Sequence, residues 1–144
     1  MGSNQEVVEG FWKAFEAGDL NAAAEQITPD GVFAQPGMPE VRGPDGLRMM
    51  LAGWRSAFPD IRHEMDDVVE SGDTIAVRLR VMGTHTGTMR TPDGQEIEAT
   101  GREFVWDSVD WIKIRDGKIA SWRVYQDTLP FLVGLGLMPE GAVG

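Results

Sequence analysis

Apolar residues in the first half of the chain stand at the spacing of helices. Five of them recur every three to four residues and form one stripe: Val7, Val8, Phe11, Trp12 and Phe15. A second, shorter helix is predicted from Asp19 to Ile27. A short strand is predicted over Gly31–Gln35, followed by a loop over Gly37–Pro44. A third helix is predicted between Pro44 and Pro59.

The second half alternates strand-like stretches with turn signals. Each turn combines Gly with a neighbouring Asp: Ser71-Gly72-Asp73, Asp93-Gly94 and Asp116-Gly117. Four stretches between them are rich in β-forming residues: Ile61–Glu70, Thr74–His85, Glu96–Arg115 and Lys118–Tyr125. The third is far longer than a typical strand of about 5–6 residues, so we expect it to bend near Gly101. The apolar segment Leu129–Leu137 predicts a final short helix or turn.

Helices followed by an antiparallel meander predict an α+β domain with the helices on one face of the sheet. Long bent strands curl such a sheet into a half-barrel that the helices do not fill, so a pocket is expected. The length of 144 residues predicts one domain over residues 1–144. The segment Met89–Gln95 is a polar hairpin tip, which is either a lid over that pocket or merely mobile.

Composition narrows the classes of partner. The formal net charge of −10 disfavours nucleic acid and an anionic membrane as partners. The chain has no cysteine and only two histidines, His63 and His85, which leaves at most weak carboxylate sites for a hard cation. It shows no apolar run of transmembrane length and no leader, which favours the cytoplasm. We therefore expect a small-molecule substrate.

Several short strings follow one another in a distinctive order: Arg42-Gly43-Pro44, Ala57-Phe58-Pro59-Asp60-Ile61-Arg62, Asp66-Asp67-Val68-Val69, Gly83-Thr84-His85-Thr86-Gly87, Asp116-Gly117-Lys118-Ile119, Gln126-Asp127-Thr128 and Leu135-Gly136. With the order of predicted elements, they resemble the SnoaL-like polyketide cyclases of the nuclear-transport-factor-2-like superfamily. The resemblance implies a cone in which a strongly curved antiparallel sheet wraps around N-terminal helices. It also implies a homodimeric enzyme that needs no cofactor and closes a ring in a polyketide intermediate.

The resemblance also indicates where the catalytic groups should stand. The acid–base aspartate of the aldol cyclases falls at Val124, and valine cannot transfer a proton. The pocket histidine of the family falls at Asp110, so we expect the carboxylate on the neighbouring strand, with Asp110 as general acid or base. The alternative for Asp110 is a solvated aspartate near a turn. Ring closure is then either acid–base assisted or driven by folding of the substrate, as in a pericyclic reaction.

Strand alternation groups the residues near Asp110. If Asp110 points inward, four other residues do so too: Ser108, Trp106, Phe104 and Arg102. The opposite face then carries a second set: Glu103, Val105, Asp107, Val109 and Trp111. Aromatic residues stand on both faces, so the pattern does not choose between them. An apolar outer face favours a homodimer.

Other elements supply further candidates. His63 is the second catalytic candidate, as a proton shuttle in the pocket, although a hydrogen-bonded core histidine is the commoner role. His85 is expected to fix the geometry at the end of its strand, and Asp127 to cap the last helix. The remaining substrate-binding residues are predicted on the third helix and the flanking strands: Trp54, Met50, Phe33, Val124 and Tyr125.

The residues leave two other functions open. One is an epoxide hydrolase or isomerase that acts on a small apolar substrate, with Asp110 activating water. The other is a non-catalytic module that binds an apolar metabolite, which the valine at position 124 favours. The cyclase is the leading hypothesis because the resemblance covers nearly the whole chain.

Overall fold

The computed structural model describes residues 3–91, 93–139 and 141. Pro92, part of the predicted hairpin tip, lies outside the described residues. The helices and strands follow in this order: α1 (Asn4–Glu16), α2 (Leu20–Ala24), β1 (Ile27–Ala34), β2 (Val41–Arg42), α3 (Gly43–Ala57), β3 (Arg62–Ser71), β4 (Thr74–Thr84), β5 (Met89–Arg90), β6 (Glu96–Ile97), β7 (Glu103–Arg115), β8 (Lys118–Gln126) and α4 (Thr128–Gly134). Over the described ranges, no helix is both long enough and apolar enough to cross a membrane.

The short helix α2 ends earlier than its sequence pattern indicates. Asp19 caps it as predicted, because its carboxylate accepts a hydrogen bond from the Ala22 N–H at 3.0 Å. The helix stops at Ala24, and the prediction that it reaches Ile27 is wrong. Ile27 instead begins β1 and pairs with Ile119 of β8, so the demands of the sheet override the helical pattern.

Six strands form the main sheet in the order β2-β1-β8-β7-β4-β3. The predicted antiparallel meander is confirmed for β3, β4, β7 and β8, whereas β1 runs parallel to β8. The short strand β2 lies inside the predicted loop and pairs with β1. The sheet is curved and mainly antiparallel, which confirms the predicted α+β fold.

The stretch from Glu96 to Arg115 forms two separate strands, β6 and β7, rather than one bent strand. Gly101 has a φ of +71°, a conformation that favours glycine, and neither Gly101 nor Arg102 belongs to a strand. The chain passes here from β6, in a small sheet with β5, to β7 in the main sheet. The prediction of one bent strand is therefore wrong, and the alternation of β7 begins only at Glu103.

The side chains of strand β7 alternate between a buried and an exposed face of the sheet. Every second side chain from Phe104 to Ile114 is buried, and those between them are exposed. Helices α1 and α3 lie against the concave face, where Phe11 and Leu51 join the hydrophobic core. Helix α4 contacts β7 near one end of that face. The part of the concave face that the helices leave open lines the cavities described next.

Candidate active site

A narrow inner cavity of about 50 Å³ lies between the concave face of the sheet and helices α1 and α3. Most of its lining side chains are apolar or aromatic. The polar side chains in its lining, apart from the tryptophans, are Gln35, His63, Ser108, Asp110 and Gln126. The cavity brings together both predicted catalytic residues and six of the predicted substrate-binding residues: Asp110, His63, Trp54, Met50, Phe33, Trp106, Ser108 and Val124.

Asp110 lies on the wall of this cavity with only 2% of its surface exposed. The Ser108 hydroxyl donates a hydrogen bond to its Oδ1 at 2.5 Å, and the Trp122 Nε1–H donates to its Oδ2 at 2.8 Å. Burial raises the pKa of Asp110 to about 7, although both hydrogen bonds act to lower it. Near neutral pH the carboxyl group is therefore close to half protonated, which suits a group that takes up and returns a proton.

Asp110 lies beside Val124, the position at which the resemblance places the acid–base aspartate. The two residues are direct cross-strand partners between β7 and β8. Neighbouring strands lie about 4.8 Å apart, so a carboxylate at position 110 occupies the same row of inward side chains as one at position 124. Trp122, two residues before Val124 on β8, reaches across to hold the carboxyl group.

His63 reaches the same cavity from β3, with 4% of its side chain exposed. Its backbone N–H donates to Glu16 Oε1 at 2.7 Å, and its Nδ1 lies 3.1 Å from the same oxygen. The Trp12 indole stacks on the imidazole with ring centroids 3.6 Å apart. Burial lowers the pKa of His63 and outweighs Glu16, which raises it. The imidazole is therefore neutral at pH 7.

A larger outer cavity of about 510 Å³ adjoins the inner one. Four residues line both cavities and form what we call the neck: Gln35, Met50, Trp54 and Gln126. Gln35 Nε2 donates a hydrogen bond to Gln126 Oε1 across the neck at 2.6 Å. The outer walls come from α3, α4, β5 and the loop after β1, and include Met38, Met49, Thr88, Met89, Phe131 and Leu132. The predicted hairpin tip thus contributes to the wall of this cavity, and its role as a lid stays a prediction.

Three predicted substrate-binding residues lie elsewhere. Arg102 is exposed and precedes β7, because the predicted long strand is interrupted at this point. Tyr125 is 58% exposed on the outer face, since alternation along β8 turns Val124 inward. Phe104 is buried in the core and stacks on Trp106 with ring centroids 4.9 Å apart. The prediction that Arg102, Phe104 and Tyr125 line the pocket is therefore wrong, although Phe104 supports a residue that does.

Two residues were predicted to act on the chain itself. His85 holds the end of β4, as predicted: its N–H donates to the Arg102 carbonyl at 2.9 Å, and its carbonyl accepts from the Gly101 N–H at 2.8 Å. The His85 Nδ1 also lies 3.0 Å from the Thr100 hydroxyl. Asp127 stands at the N-cap position of α4, but its side chain makes no capping hydrogen bond. That prediction is right in position and wrong in mechanism.

Sequence reasoning missed Glu16, Trp122 and the pair formed by Gln35 and Gln126. Glu16 follows Trp12 by four residues, so helical spacing places both on one face of α1 and could have revealed it. Trp122 shares the inner side of β8 by simple alternation. The two glutamines are 91 positions apart, and only the parallel pairing of β1 with β8 brings them together.

A family profile described as a SnoaL-like domain matches residues 8–122. The chain belongs to the SnoaL-like domain family. It is 29% identical over 149 residues to "Aklanonic acid methyl ester cyclase DnrD" of Streptomyces peucetius, an alignment that covers 98% of each protein.

Two solved structures extend this SnoaL-like family picture. The chain superposes on IdmH from Streptomyces antibioticus, described as a candidate polyketide cyclase, with a TM-score of 0.78 and 27% identity, covering 94% of this chain and 99% of that one. It superposes on AclR from Streptomyces galilaeus, described as a candidate hydroxylase, with a TM-score of 0.79 and 26% identity, covering 94% and 82%. The family prediction is confirmed, and cyclases stand among the similar proteins.

Proposed function

We propose that this protein is an enzyme that closes a ring in a polyketide intermediate, with Asp110 as its general acid–base group. The observation that carries the proposal is a buried carboxyl group, Asp110, on the wall of a cavity lined mainly by apolar and aromatic side chains, where burial raises its pKa to about 7. The relatives support the reaction type, since DnrD is named as a cyclase and IdmH is described as a polyketide cyclase candidate. These names favour the cyclase over a hydrolase or a binding module.

An aldol-type ring closure requires two proton transfers, and Asp110 can perform both. As a carboxylate it takes a proton from the carbon beside one carbonyl group, so that the C–H bond breaks and an enolate forms. The enolate carbon then bonds to the carbon of a second carbonyl group in the same molecule. Protonated Asp110 returns its proton to the new alkoxide oxygen. Substrate and product have the same atoms, and the carboxylate is restored.

Ser108 and Trp122 support this role by holding Asp110 in place. One donates to each oxygen of the carboxyl group. A carboxylate produced in this dry environment therefore keeps two hydrogen bonds, which limits the cost of burying its charge. The opposing effects of burial and hydrogen bonding set the pKa of Asp110 near the pH at which it must exchange protons.

The two cavities divide the substrate between them. The inner cavity of about 50 Å³ holds little more than a single reacting group, whereas pockets for drug-sized ligands span about 300–1,000 Å³. The outer cavity of about 510 Å³ lies in that range and has an apolar, methionine-rich wall suited to the body of a polyketide. Holding a flexible chain with its two carbonyl groups together lowers the entropic cost of ring closure.

Incubation of the protein with aklanonic acid methyl ester, the compound in the name of DnrD, tests the proposal. We expect a cyclic product with the mass of the substrate, formed faster than in buffer and detected by liquid chromatography with mass spectrometry. A product that gains one water, with oxygen from ¹⁸O-labelled solvent, would identify a hydrolase and overturn the cyclase. Conversion no faster than in buffer for this compound and for other polyketide esters would leave the binding module as the function.

We also propose that two copies of the chain pair through the outer face of β7 and β8. Four large apolar side chains are exposed there: Val105, Val109, Trp111 and Tyr125. An exposed apolar patch of this kind is typical of a protein interface. Light scattering should give twice the mass of the chain for the wild type and a monomer for Trp111→Glu. Met49→Glu, on an exposed part of α3, is the matched control and should leave the dimer intact.

Two broader assignments belong to the same proposal. We take residues 1–144 as one domain, which the cluster of buried apolar residues running from α1 to α4 supports. We place the enzyme in the cytoplasm, because its proposed substrate is a biosynthetic intermediate. Limited proteolysis that released a stably folded part of the chain would contradict the first assignment, and cell fractionation tests the second.

A further inference from the structure

Two residues of α1, one helical turn apart, hold the ring of His63. The Trp12 indole stacks on the imidazole with an interplanar angle of 16°, which fixes the plane of the ring. Glu16 Oε1 lies 3.1 Å from Nδ1 and also accepts the backbone N–H of His63 at 2.7 Å. Residues at positions i and i+4 share one face of a helix, so α1 presents both contacts to β3 at once.

The ionisation of Glu16 decides which nitrogen of His63 carries hydrogen. Burial raises the pKa of Glu16, but the hydrogen bonds from the side chain and backbone of His63 outweigh burial and keep the pKa below its usual value. Glu16 is therefore a carboxylate at neutral pH and can only accept hydrogen bonds. Nδ1 must carry the hydrogen. Because His63 is neutral, Nε2 keeps its lone pair and is the ring nitrogen left for a ligand.

The surroundings of His63 favour a polar ligand atom in the inner cavity. His63, Val81 and Trp106 are cross-strand neighbours on β3, β4 and β7, so His63 and Trp106 share one row of the cavity wall. The indole N–H groups of Trp12 and Trp106 are buried without an acceptor among the described residues. An unpaired buried donor costs about 1–3 kcal/mol, which a ligand oxygen in this cavity would offset.

We propose that the inner cavity binds a hydroxyl group of the substrate, with His63 Nε2 as the hydrogen-bond acceptor and Glu16 as the residue that positions His63. The ligand class is an enol or phenol, whose oxygen can at the same time accept from an indole N–H. The inference rests on the proposed function only for the identity of the whole substrate. The acceptor itself follows from Glu16, Trp12 and the buried imidazole.

A matched pair of small probes tests the proposal without any turnover. Phenol and toluene have nearly the same shape and differ in the hydroxyl group. We expect the wild type to bind phenol about tenfold more tightly than toluene, a difference of about 1.4 kcal/mol. Two-bond ¹H–¹⁵N spectra should show His63 with hydrogen on Nδ1, and phenol should shift the Nε2 resonance whereas toluene should not. Since the chain has two histidines, a His63→Gln variant assigns the signals.

Variants at Glu16 separate a positioning role from a structural one. Glu16→Ala removes the acceptor, so hydrogen should distribute over both nitrogens of His63 and the preference for phenol should fall several-fold. Glu16→Gln keeps an acceptor oxygen and should restore most of the preference. Glu9→Ala, on the same helix, is the control and should change neither, because the Glu9 side chain bonds to that of Gln5.

Several results would overturn the proposal. They are hydrogen on Nε2 in the wild type, equal affinity for phenol and toluene, or an unchanged tautomer and preference in Glu16→Ala. A lower melting temperature in Glu16→Ala with the spectra unchanged would reduce Glu16 to a tie between α1 and β3. Failure of the cyclase assay would overturn the proposed function. The role of His63 as hydrogen-bond acceptor would still be decided by the spectra and the probe affinities, so the two proposals can fail separately.

Discussion

The two cavities of this protein are adjacent but differ in chemistry. The inner one is about a tenth of the volume of the outer one and contains the buried Asp110 and His63. Among the described residues that line the outer cavity, no carboxylate or histidine is present, and methionines recur along the wall. The difference supports the proposal that the inner cavity transfers protons while the outer cavity holds the body of the substrate, with the neck joining the two.

The scaffold explains this division. The inner cavity is lined by the sheet, where cross-strand partners fix the position of each side chain, as for Asp110 and Val124. Much of the outer cavity comes from helix faces, the loop after β1 and the short strand β5, which are less constrained. We expect changes in the inner cavity to affect kcat and changes in the outer cavity to affect KM.

The largest expected effect is that of Asp110→Asn. The asparagine has nearly the shape of the aspartate but cannot exchange a proton at neutral pH. We expect kcat to fall by about 10²–10⁴-fold, the usual contribution of a general acid–base group, with KM changing little. Steady-state kinetics measure both. Asp107→Asn, on the exposed face of β7, is the control and should retain activity. A wild-type kcat in Asp110→Asn would assign ring closure to substrate folding alone.

The second expected effect is a dependence of kcat on pH. Asp110 must begin the cycle as a carboxylate, and burial raises its pKa to about 7. The rate should therefore rise with pH through neutrality, by about tenfold from pH 6 to pH 8. Single-turnover rates across this range check the prediction. A flat profile would contradict the role of Asp110 as the first proton acceptor.

The same shift in pKa has an opposite consequence for stability. The folded state holds the proton of Asp110 up to about pH 7, whereas an unfolded aspartate releases it near pH 4, so this group makes the protein less stable as pH rises between those values. Asp110→Asn should lose that part of the pH dependence. Urea unfolding of both proteins at several pH values measures the difference, and parallel curves would show that the pKa of Asp110 is not raised.

The smallest effect is expected for Leu132→Trp. The larger side chain fills part of the outer cavity, so KM should rise about fivefold, or about 1 kcal/mol, with kcat nearly unchanged. Leu137→Trp makes the same exchange outside both cavities and is the control. A fall in kcat with an unchanged KM would show that the two cavities do not divide the work as described.

The sequence predicted the fold well because periodicity and turn residues report local structure. It failed where long-range pairing decides. Nothing in the helical pattern ending at Ile27 shows that this residue pairs with β8. The position of Arg102 depends on the interruption of the strand at Gly101. Such outcomes require knowledge of the whole sheet.

The candidate site was predictable to the same degree. The family resemblance indicated Asp110, whereas alternation left its direction open, because aromatic residues stand on both faces of the predicted strand. They could not identify Trp122 as its hydrogen-bond donor or Glu16 as the partner of His63. Each of these contacts joins two elements through side-chain geometry. Tyr125 shows the converse error, since it was predicted to bind substrate and alternation along β8 turns it to the outer face instead.

Proton transfer to Asp110 in the inner cavity is the central step of the proposed reaction, and a single-turnover isotope experiment measures it. The substrate is deuterated at the carbon that loses its proton, and one round of ring closure is followed with enzyme in excess. We predict a slower reaction than with the unlabelled substrate, because the C–H bond breaks as Asp110 takes the proton. Identical rates, with Asp110→Asn as fast as the wild type, would contradict it.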